Sequence, residues 1–396
     1  MQTDTSSSIS DPQCGPLRVD RGLAGVEVDD TSISLVDGNL GNLSYRGYSI
    51  ETLVHWPFAR VAKLLLDGVD PTPADQLSFN QTMLEIESLD AREKRLLALA
   101  AEDASSSHPM QILQGMLPLL SRTTPPRNFE TYGDAAWGLT IAARFPCLVA
   151  ELQRLVACRR PDQVTGRVNP VLDDLDINRR FLSRIQGHEP SEAHLNALTV
   201  CQILQMEHSF NASTFTARVV ASTLAPVENC LSAALGALHG RLHGGADQAA
   251  LEVAEQVGDP RAAAAFVDDC LERGIKVMGM GHREYTTLDP RARFVKQLAR
   301  DLSHGTPQET TYRTLAAIED RFNERMQQSG RTLYANLEFY KGVVYRILGL
   351  QPEFFTATFA MARMFGYLAH FIESRQNNRL MRPQARYVGP PVRSPS

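Results

Sequence analysis

The chain has 396 residues, 43% of them hydrophobic and 21% charged, which suits one large or two unequal domains with a substantial core. Its formal net charge of −5, with no run of Lys or Arg, gives no support for nucleic-acid binding. The 6 cysteines lie far apart and form no C-x-x-C pair, which argues against a zinc site or a disulfide framework and suits a reducing compartment.

The two ends of the chain differ from its centre. Residues 1–20 have neither an apolar export segment nor an Arg-rich amphipathic pattern, so we expect a disordered N-terminus without a targeting signal. Residues 386–396 are expected to form an extended tail. The apolar stretch Phe354–Phe371 is nearly long enough to span a bilayer, but Arg363 in its middle favours a buried helix. We therefore expect a protein without membrane contact, located in the cytoplasm.

The first structural signal along the chain is a small β-hairpin. Residues Ser32–Tyr45 alternate in polarity around an Asp-Gly turn, which predicts two short antiparallel strands. From Ile50 onward, apolar residues recur at three- and four-residue steps. No alternation of strands and helices follows, so Rossmann and TIM-barrel folds are excluded and the predicted fold class is all-α. The clearest helical runs are 51–68, 92–104, 133–160, 192–208 and 308–328.

Two histidines precede predicted helices in the middle of the chain. His208 opens HSFNASTFTAR, where polar residues mark a helix start, and taken alone it suits a structural, hydrogen-bonded histidine as well as a ligand contact. His243 lies in LHGRLHGGAD, directly before two glycines and a helical run. A histidine near a helix N-terminus tends to stay neutral and can donate a hydrogen bond to an enolate oxygen. An incidental histidine at a glycine-rich helix start remains the alternative.

The stretch Met278–Arg293, MGMGHREYTTLDPRAR, places His282 and Arg283 directly behind two spaced glycines. Glycine suits backbone that turns sharply or approaches another group closely. Asp289 is predicted to be an N-cap and Pro290 the first helical residue, which puts Arg291 in the first helical turn. Such a turn favours anions.

Two charged residues lie in apolar surroundings near the end of the chain. Glu338 in NLEFYKG has apolar neighbours, a setting that suits a general base, although an exposed surface acid is the usual alternative. Arg363 lies within a wholly apolar helix, where a guanidinium is costly unless an anion or a structural carboxylate pairs with it.

Taken together and in this order, these segments resemble the citrate synthase family, which includes 2-methylcitrate synthases. The resemblance covers most of the chain and rests on 22–53, HSFNASTFTARVVASTLA, LHGRLHGGAD, GHREYTTLDPRA, NLEFYKGVVYRILGL, FAMARMFGYLAHFIE and RPQARYVG. It implies a helical homodimer whose subunits have two domains. The large domain would comprise 21–244 and 350–385, and the small domain 245–349 would close over the active site. No permanently bound cofactor or metal is implied, and acetyl-CoA would be a co-substrate.

The resemblance also implies a role for each matching residue. His243 would hydrogen-bond the acetyl thioester carbonyl, His282 would protonate the keto oxygen of the acceptor, and Glu338 would remove the methyl proton. The acceptor carboxylates would be held by His208, Arg291, Arg363 and Arg382, the last from the partner subunit. Arg283 would contact the phosphates of coenzyme A.

This chain departs from the family pattern at several positions close to those residues. Where the family usually has NVDFYSG, HGGAN, GPLHGG, GHRVYK and HEFN, the differing residues here are Glu338, Lys341, Asp247, Arg241, Glu284, Thr286 and Ser209. The expected reaction is a citrate synthase-type condensation of acetyl-CoA with a dianionic 2-oxo acid, most simply oxaloacetate. The alternatives are a relative that uses propionyl-CoA or another acceptor such as phosphonopyruvate, and a catalytically impaired paralogue that binds coenzyme A or oxaloacetate.

Overall fold

The computed structural model describes residues 21–23, 25–102, 107–158 and 173–393, and the predicted disorder of residues 1–20 lies outside these ranges. The described part of the chain is predominantly helical, as predicted, with one small sheet near its start. The α-helices are α1 Ile50–Leu53, α2 Phe58–Asp67, α3 Pro73–Ile86, α4 Ala91–Glu102, α5 Pro109–Met116, α6 Ala136–Ala157, α7 Ile177–Gln186, α8 Glu192–Gln205, α9 Ala212–Ser222, α10 Val227–Leu238, α11 Ala246–Val257, α12 Ala263–Glu272, α13 Ala292–Ser303, α14 Glu309–Gln328, α15 Glu338–Ile347 and α16 Phe355–Gln376.

The sheet confirms the predicted hairpin and extends it. Strands β1 Ser34–Asp37 and β2 Asn42–Tyr45 pair antiparallel, and a third strand, β3 Tyr48–Ser49, pairs with β2. The connection spans residues 38–41, so the predicted Asp-Gly pair lies at the start of a four-residue turn. The Asp37 carboxylate accepts hydrogen bonds from the amides of Asn39 and Leu40, which stabilises the longer turn.

Helical periodicity predicted the helices better than it predicted their ends. The run 51–68 is two helices, because Pro57 lacks an amide hydrogen and serves as the N-cap of α2. Arg291 is the N-cap of α13, which begins at Ala292, so its predicted place inside the first turn is wrong. Asp289 still acts as a cap, since its carboxylate accepts from the Arg291 amide at 3.0 Å.

The buried helix α16 lies at the centre of the core. Every residue from Phe355 to Phe371 is buried, as predicted for this apolar stretch, and α2, α6, α8 and α9 pack around it. Helices α11 to α15 pack mainly against one another, and α8 contacts α13 and α15. Among the described residues, the helical stretch Arg127–Ala157 is long and apolar enough to cross a membrane, but 94% of its most apolar segment is buried inside the protein.

Candidate active site

The loop that carries His282 is held against the start of α15. Gly279 and Gly281 have φ angles of +80° and +86°, and a Cβ at Gly279 would lie 2.7 Å from the Phe339 ring. The Gly281 amide donates to the Tyr334 carbonyl at 2.7 Å, and the Asn336 side chain donates to the Gly281 carbonyl at 2.9 Å. The two glycines therefore allow the close approach that places His282 near the segment leading into α15.

His282 has a defined protonation state. Its Nδ1 accepts from the amides of Glu284 and Tyr285 at 3.0 and 3.2 Å, so a neutral ring carries its proton on Nε2. Burial, reinforced by the Arg291 charge, lowers the pKa of His282 to about 4. The ring is therefore neutral near pH 7, and the shorter amide contacts to Nδ1 assign its proton to Nε2. The 3.4 Å approach of Arg291 Nη2 to Nε2 then brings two donors together and is not a hydrogen bond.

His243 is neutral as well, through a different set of contacts. Its Nε2 accepts from the Ser213 amide at 3.3 Å and lies 2.7 Å from the Ser213 hydroxyl oxygen. These contacts leave the ring proton on Nδ1. Burial and then Arg363 lower the pKa of His243 to about 4, so the physical cause differs from the helix N-terminus named in the sequence prediction. Helix α11 begins only at Ala246.

Arg291 is fixed by a buried carboxylate. Asp289 accepts from its Nε and Nη2, each at 2.9 Å, and also from the Leu337 amide at 3.2 Å. Although burial acts to raise the pKa of Asp289, the neighbouring Arg291 outweighs it and lowers that pKa. Asp289 thus joins Arg291 to the residue before Glu338, a role beyond the predicted N-cap.

Arg363 is buried and only partly paired. Its Nε donates to the Gln205 carbonyl at 2.6 Å, and its guanidinium carbon lies 4.6 Å from the centre of the Phe359 ring. Its Nη1 has no hydrogen-bond partner among the described residues. A buried guanidinium with an unused donor suits an anionic ligand. Of the two predicted partners for Arg363, this favours a bound anion over a structural carboxylate.

His208 lies close to several of these groups. It is buried, its Nε2 lies 3.1 Å from the Tyr285 hydroxyl, and its ring centre is 5.5 Å from that of His282. Burial lowers the pKa of His208 well below its usual value, and the charges of Arg291 and Arg363 add to this effect, as would those of His282 and His243 if these rings were protonated. One neutral histidine therefore lies within electrostatic reach of four other predicted site residues.

Glu338 is the first residue of α15, but its predicted apolar surroundings are wrong. Its Oε2 lies 2.5 Å from the Lys341 ammonium, which also lies 3.3 Å from Asp247 Oδ2. The Lys341 ammonium donates to Gln205 Oε1 at 3.1 Å. Because the Gln205 carbonyl accepts from Arg363, this one residue links the Glu338 environment to the buried guanidinium.

The structure does not bring Arg283 and Arg382 into this cluster. Arg283 is exposed and donates to the Gly22 carbonyl at 2.8 Å. Arg382 is exposed in the segment after α16, where the preceding residue, Met381, donates to Ser222 Oγ at 3.0 Å. Ser222 ends α9 and Ser213 is its second residue, so about 14 Å of helix separates this segment from the His243 contact.

The β1–β2 turn rests on the loop that follows His282. The Gly38 carbonyl accepts from the Thr286 amide at 2.9 Å, and a Cβ at Gly38 would fall 1.8 Å from the Glu284 carbonyl oxygen.

A cavity of about 40 Å³ adjoins His282 and Tyr285, whereas a larger cleft of about 400 Å³ lies elsewhere, between Trp56 and Leu298. The candidate site is thus largely enclosed in this conformation.

Comparisons with known proteins identify the family of this chain. Residues 22–384 match the family model described as "Citrate synthase, C-terminal domain". The chain belongs to the citrate synthase family. It is 35% identical to a citrate synthase of Acidithiobacillus ferridurans, covering 93% of this chain and 95% of that protein. It is 34% identical to a 2-methylcitrate synthase of Shewanella oneidensis, covering 93% and 94%.

Solved citrate synthase structures have the same fold. The crystal structure from Thermotoga maritima superposes with a TM-score of 0.82 at 31% identity, covering 95% of this chain and 98% of that one. A Thermoplasma acidophilum citrate synthase, solved as a ternary complex with carboxymethyl coenzyme A and oxaloacetate, gives a TM-score of 0.84 at 27% identity, with the same coverage. The predicted citrate synthase-like helical fold is confirmed.

Sequence reasoning missed the residues that support the predicted ones. Ser213 contacts His243 and accepts from the Tyr367 hydroxyl at 2.7 Å, while Gln205 joins Lys341 to Arg363. No local motif marks them, because each contact joins residues distant in sequence. The cluster His208–Tyr285–His282 had a possible signal in the polar sequence HREY, but its tyrosine received no role.

Proposed function

We propose that this protein joins the methyl carbon of acetyl-CoA to the keto carbon of a dianionic 2-oxo acid and then hydrolyses the thioester. The simplest acceptor is oxaloacetate, which gives citrate and coenzyme A, a reaction of the tricarboxylic acid cycle. In class the enzyme is an acyltransferase that converts the acyl group into an alkyl group on transfer. The observation that carries the proposal is the close grouping of His208, His282 and Arg291: the centres of the two rings are 5.5 Å apart, and Arg291 Nη2 lies 3.4 Å from His282 Nε2.

The two histidines suit opposite ends of the new bond. The Nδ1–H of His243 is available to the thioester oxygen, where negative charge develops as the methyl group loses a proton. The Nε2–H of His282 is available to the keto oxygen, which gains a proton as the carbon–carbon bond forms. Glu338 is the proposed base that takes the methyl proton. Such a proton leaves a weak carbon acid, so base and oxygen-side donor act together.

The acceptor is proposed to be doubly anionic because two guanidiniums face it. Arg291 is held in one geometry by Asp289, and Arg363 keeps a donor free for a ligand oxygen. His208 completes the acceptor side, and Arg382 of a second subunit is proposed to add a further cation. Arg283 is proposed to contact coenzyme A phosphates once acyl-CoA displaces its bond to Gly22.

The second candidate is a changed substrate with the same chemistry. The similarity to a 2-methylcitrate synthase, together with the altered surroundings of the base, favours propionyl-CoA or another acceptor such as phosphonopyruvate. The impaired-paralogue alternative receives no support from the histidine geometry.

Residues 245–349 are proposed to be a small domain that closes on the rest of the chain. The cytoplasm is the proposed location of the protein.

A homodimer is also proposed. The segment after α16 carries exposed apolar side chains, among them Leu380, Tyr387 and Val388, which are 63%, 76% and 82% exposed in the single chain. Docking on a second copy would cover them and would bring Arg382 to that copy's site. Mixing two inactive variants, His243→Ala and Arg382→Ala, tests this directly. Hybrid dimers contain one intact site if Arg382 is shared, so activity should return on subunit exchange and stay absent without it.

Release of free coenzyme A thiol from acetyl-CoA and propionyl-CoA, measured against a panel of 2-oxo acids, tests the reaction. We expect release that depends on a dianionic acceptor, with oxaloacetate as the simplest case. Release only with propionyl-CoA or with phosphonopyruvate would select the specialised relative. No release with any pair would contradict the proposal.

A further inference from the structure

Three charged side chains meet in the interior where α11 and α15 touch. The side chains of Lys341 and Asp247 are fully buried and that of Glu338 is 14% exposed. The Lys341 ammonium lies 2.5 Å from Glu338 Oε2 and 3.3 Å from Asp247 Oδ2. This trio of Glu338, Lys341 and Asp247 thus sets one ammonium between two carboxyl groups. Burial raises the pKa of Asp247 to about 7, so the trio bears one net negative charge only above that pH.

The fold holds the ammonium from several sides. Gly342 lets α15 approach α11, since a Cβ there would lie 2.9 Å from the Asp247 carbonyl oxygen. The rings of Phe359 and Tyr345 lie 4.6 and 5.6 Å from Lys341 Nζ, and Gln205 accepts from it at 3.1 Å. A side chain enclosed in this way has little rotamer freedom, so its charge stays at one point beside Glu338.

The other titratable groups facing the trio are neutral. Burial raises the pKa of the Cys201 thiol to about 12 and raises that of the Tyr345 phenol well above its usual value. For Lys341, burial acts to lower the pKa, but Glu338 and Asp247 outweigh it and raise it. Lys341 is therefore a cation rather than a nucleophile or an acid, and the charge at this end of the site belongs to the trio.

We propose that Lys341 is the positioning residue of the base Glu338, and that Asp247 is the counter-charge that keeps the base basic. This inference rests on the proposed condensation and adds two residues to it. The ammonium holds the carboxylate at the start of α15 in one orientation. A lone Lys–Glu pair would be neutral and a poor proton acceptor, whereas the second carboxylate restores one negative charge.

The physical alternative is that the trio only stabilises the fold. Buried ion pairs often contribute little net stability, but removing one partner leaves an uncompensated buried charge and is strongly destabilising. A structural role would therefore change the unfolding temperature of a Lys341 variant without changing the chemistry of Glu338. A positioning role changes kcat and its pH dependence.

The test compares Lys341→Met, Asp247→Asn and their double variant with the wild type in the thiol-release assay. We expect Lys341→Met to lower kcat about 100-fold, the cost of a misplacement of ~1 Å, with little change in KM for the acceptor. Without the cation, the acid limb of its pH–kcat profile should move to higher pH. Asp247→Asn removes the negative charge that Asp247 gains above about pH 7, so its rate relative to wild type should fall most above that pH.

The double variant Lys341→Met/Asp247→Asn guards against simple misfolding, because it leaves no unpaired lysine or aspartate charge in the core. We expect it to fold, to regain part of the rate lost in Lys341→Met, and to remain slower than wild type because Glu338 is no longer held. Arg144→Met is the matched control. It removes the buried Arg144–Glu93 pair, whose atoms lie 3.0 Å apart, and should lower stability without moving the pH profile.

A double variant with wild-type kcat and a wild-type pH profile would overturn the positioning role while leaving the condensation intact. So would a Lys341→Met variant that is only less stable. If the wild type itself releases no thiol with any acceptor, the proposed function fails and the positioning role falls with it. The wild-type arm of the same assay separates the two cases.

Discussion

The residues proposed to bind the acceptor, Arg291 and Arg363, differ from those around the proposed base, Glu338, in how their charged groups are paired. These two groups are called the acceptor side and the base side of the site. Arg291 is fixed by one local carboxylate, and Arg363 keeps a buried donor unused, so the acceptor side is left with a hydrogen-bond donor to offer a ligand. On the base side, the Lys341 ammonium contacts the carboxyl groups of Glu338 and Asp247, so its charge is already met by partners within the protein. The acceptor side keeps the family's residues, whereas the base side combines three residues that depart from its pattern. Substrate binding and proton removal can therefore change separately in this fold.

The largest expected effect comes from replacing the proposed base, Glu338, by a residue of the same shape. Glu338→Gln should lower kcat by ~10²–10⁴-fold, because an amide cannot take the methyl proton. Acceptor binding should be nearly unchanged, since Glu338 lies outside the acceptor side. Steady-state kinetics and calorimetry on the same preparation measure both quantities. A loss smaller than tenfold would move the base elsewhere.

Removing a guanidinium should have the opposite pattern. Arg363→Leu should weaken acceptor binding by ~2–5 kcal/mol, the usual cost of leaving one partner of a buried charge contact unpaired. Acyl-CoA binding should change far less. Calorimetric titration with each ligand measures the difference, and equal losses for both would show that Arg363 serves the fold rather than the acceptor.

Shortening the base separates the two substrate alternatives. Glu338→Asp restores the family's usual residue but withdraws the carboxylate by one methylene, away from Lys341 as well as from substrate. If the trio positions a longer base, we expect a loss of ~10²-fold. Rates with oxaloacetate and with alternative acceptors measure this, and unchanged or higher activity with oxaloacetate would show that the glutamate is a neutral replacement.

The smallest effect is a difference in the pH dependence of stability. His243 and His282 have pKa values near 4 in the folded protein, below the usual value of 6.5, so the unfolded state binds more protons as pH falls from about 6.5 to 4. The histidines therefore lower the free energy of unfolding in acid. Burial, opposed by Lys341, raises the pKa of Asp247 from 3.8 to about 7, so this carboxyl holds a proton that the unfolded state lacks and acts in the reverse direction.

Denaturant titrations between pH 4 and 7 measure the two contributions. His282→Gln should make the loss of stability in acid shallower, because one group that takes up a proton on unfolding is gone. Asp247→Asn should make that loss steeper. Identical slopes in both variants would contradict the assignment of opposite pKa shifts to the two sides.

The sequence was enough for the family, the all-α class and the order of the site segments. Periodicity located helices such as α8 and α14 to within a few residues, because an amphipathic pattern is local. The N-cap signal misplaced Arg291, because Asp289 caps the turn before the helix and also binds the guanidinium. A local cap signal cannot distinguish those two uses of one carboxylate.

The contact of Lys341 with both Glu338 and Asp247 could not be predicted from the sequence. Lys341 and Asp247 lie almost a hundred residues apart in sequence. Each departure is visible alone, but their pairing depends on how closely α15 packs on α11, which Gly342 permits. The expectation of an apolar setting for Glu338 was wrong for this reason, since its sequence neighbours are apolar and its spatial neighbour is a buried ammonium.

The most direct test of the account measures exchange of the acetyl-CoA methyl protons for deuterium in D₂O. The exchange is monitored by NMR, with malate present as a non-reacting analogue of oxaloacetate. Exchange isolates proton removal from the later bond formation. We predict that wild-type protein exchanges these protons, that Glu338→Gln does not, and that Lys341→Met does so slowly. Equal exchange in wild type and Glu338→Gln would contradict the central claim that the ion-paired glutamate is the base.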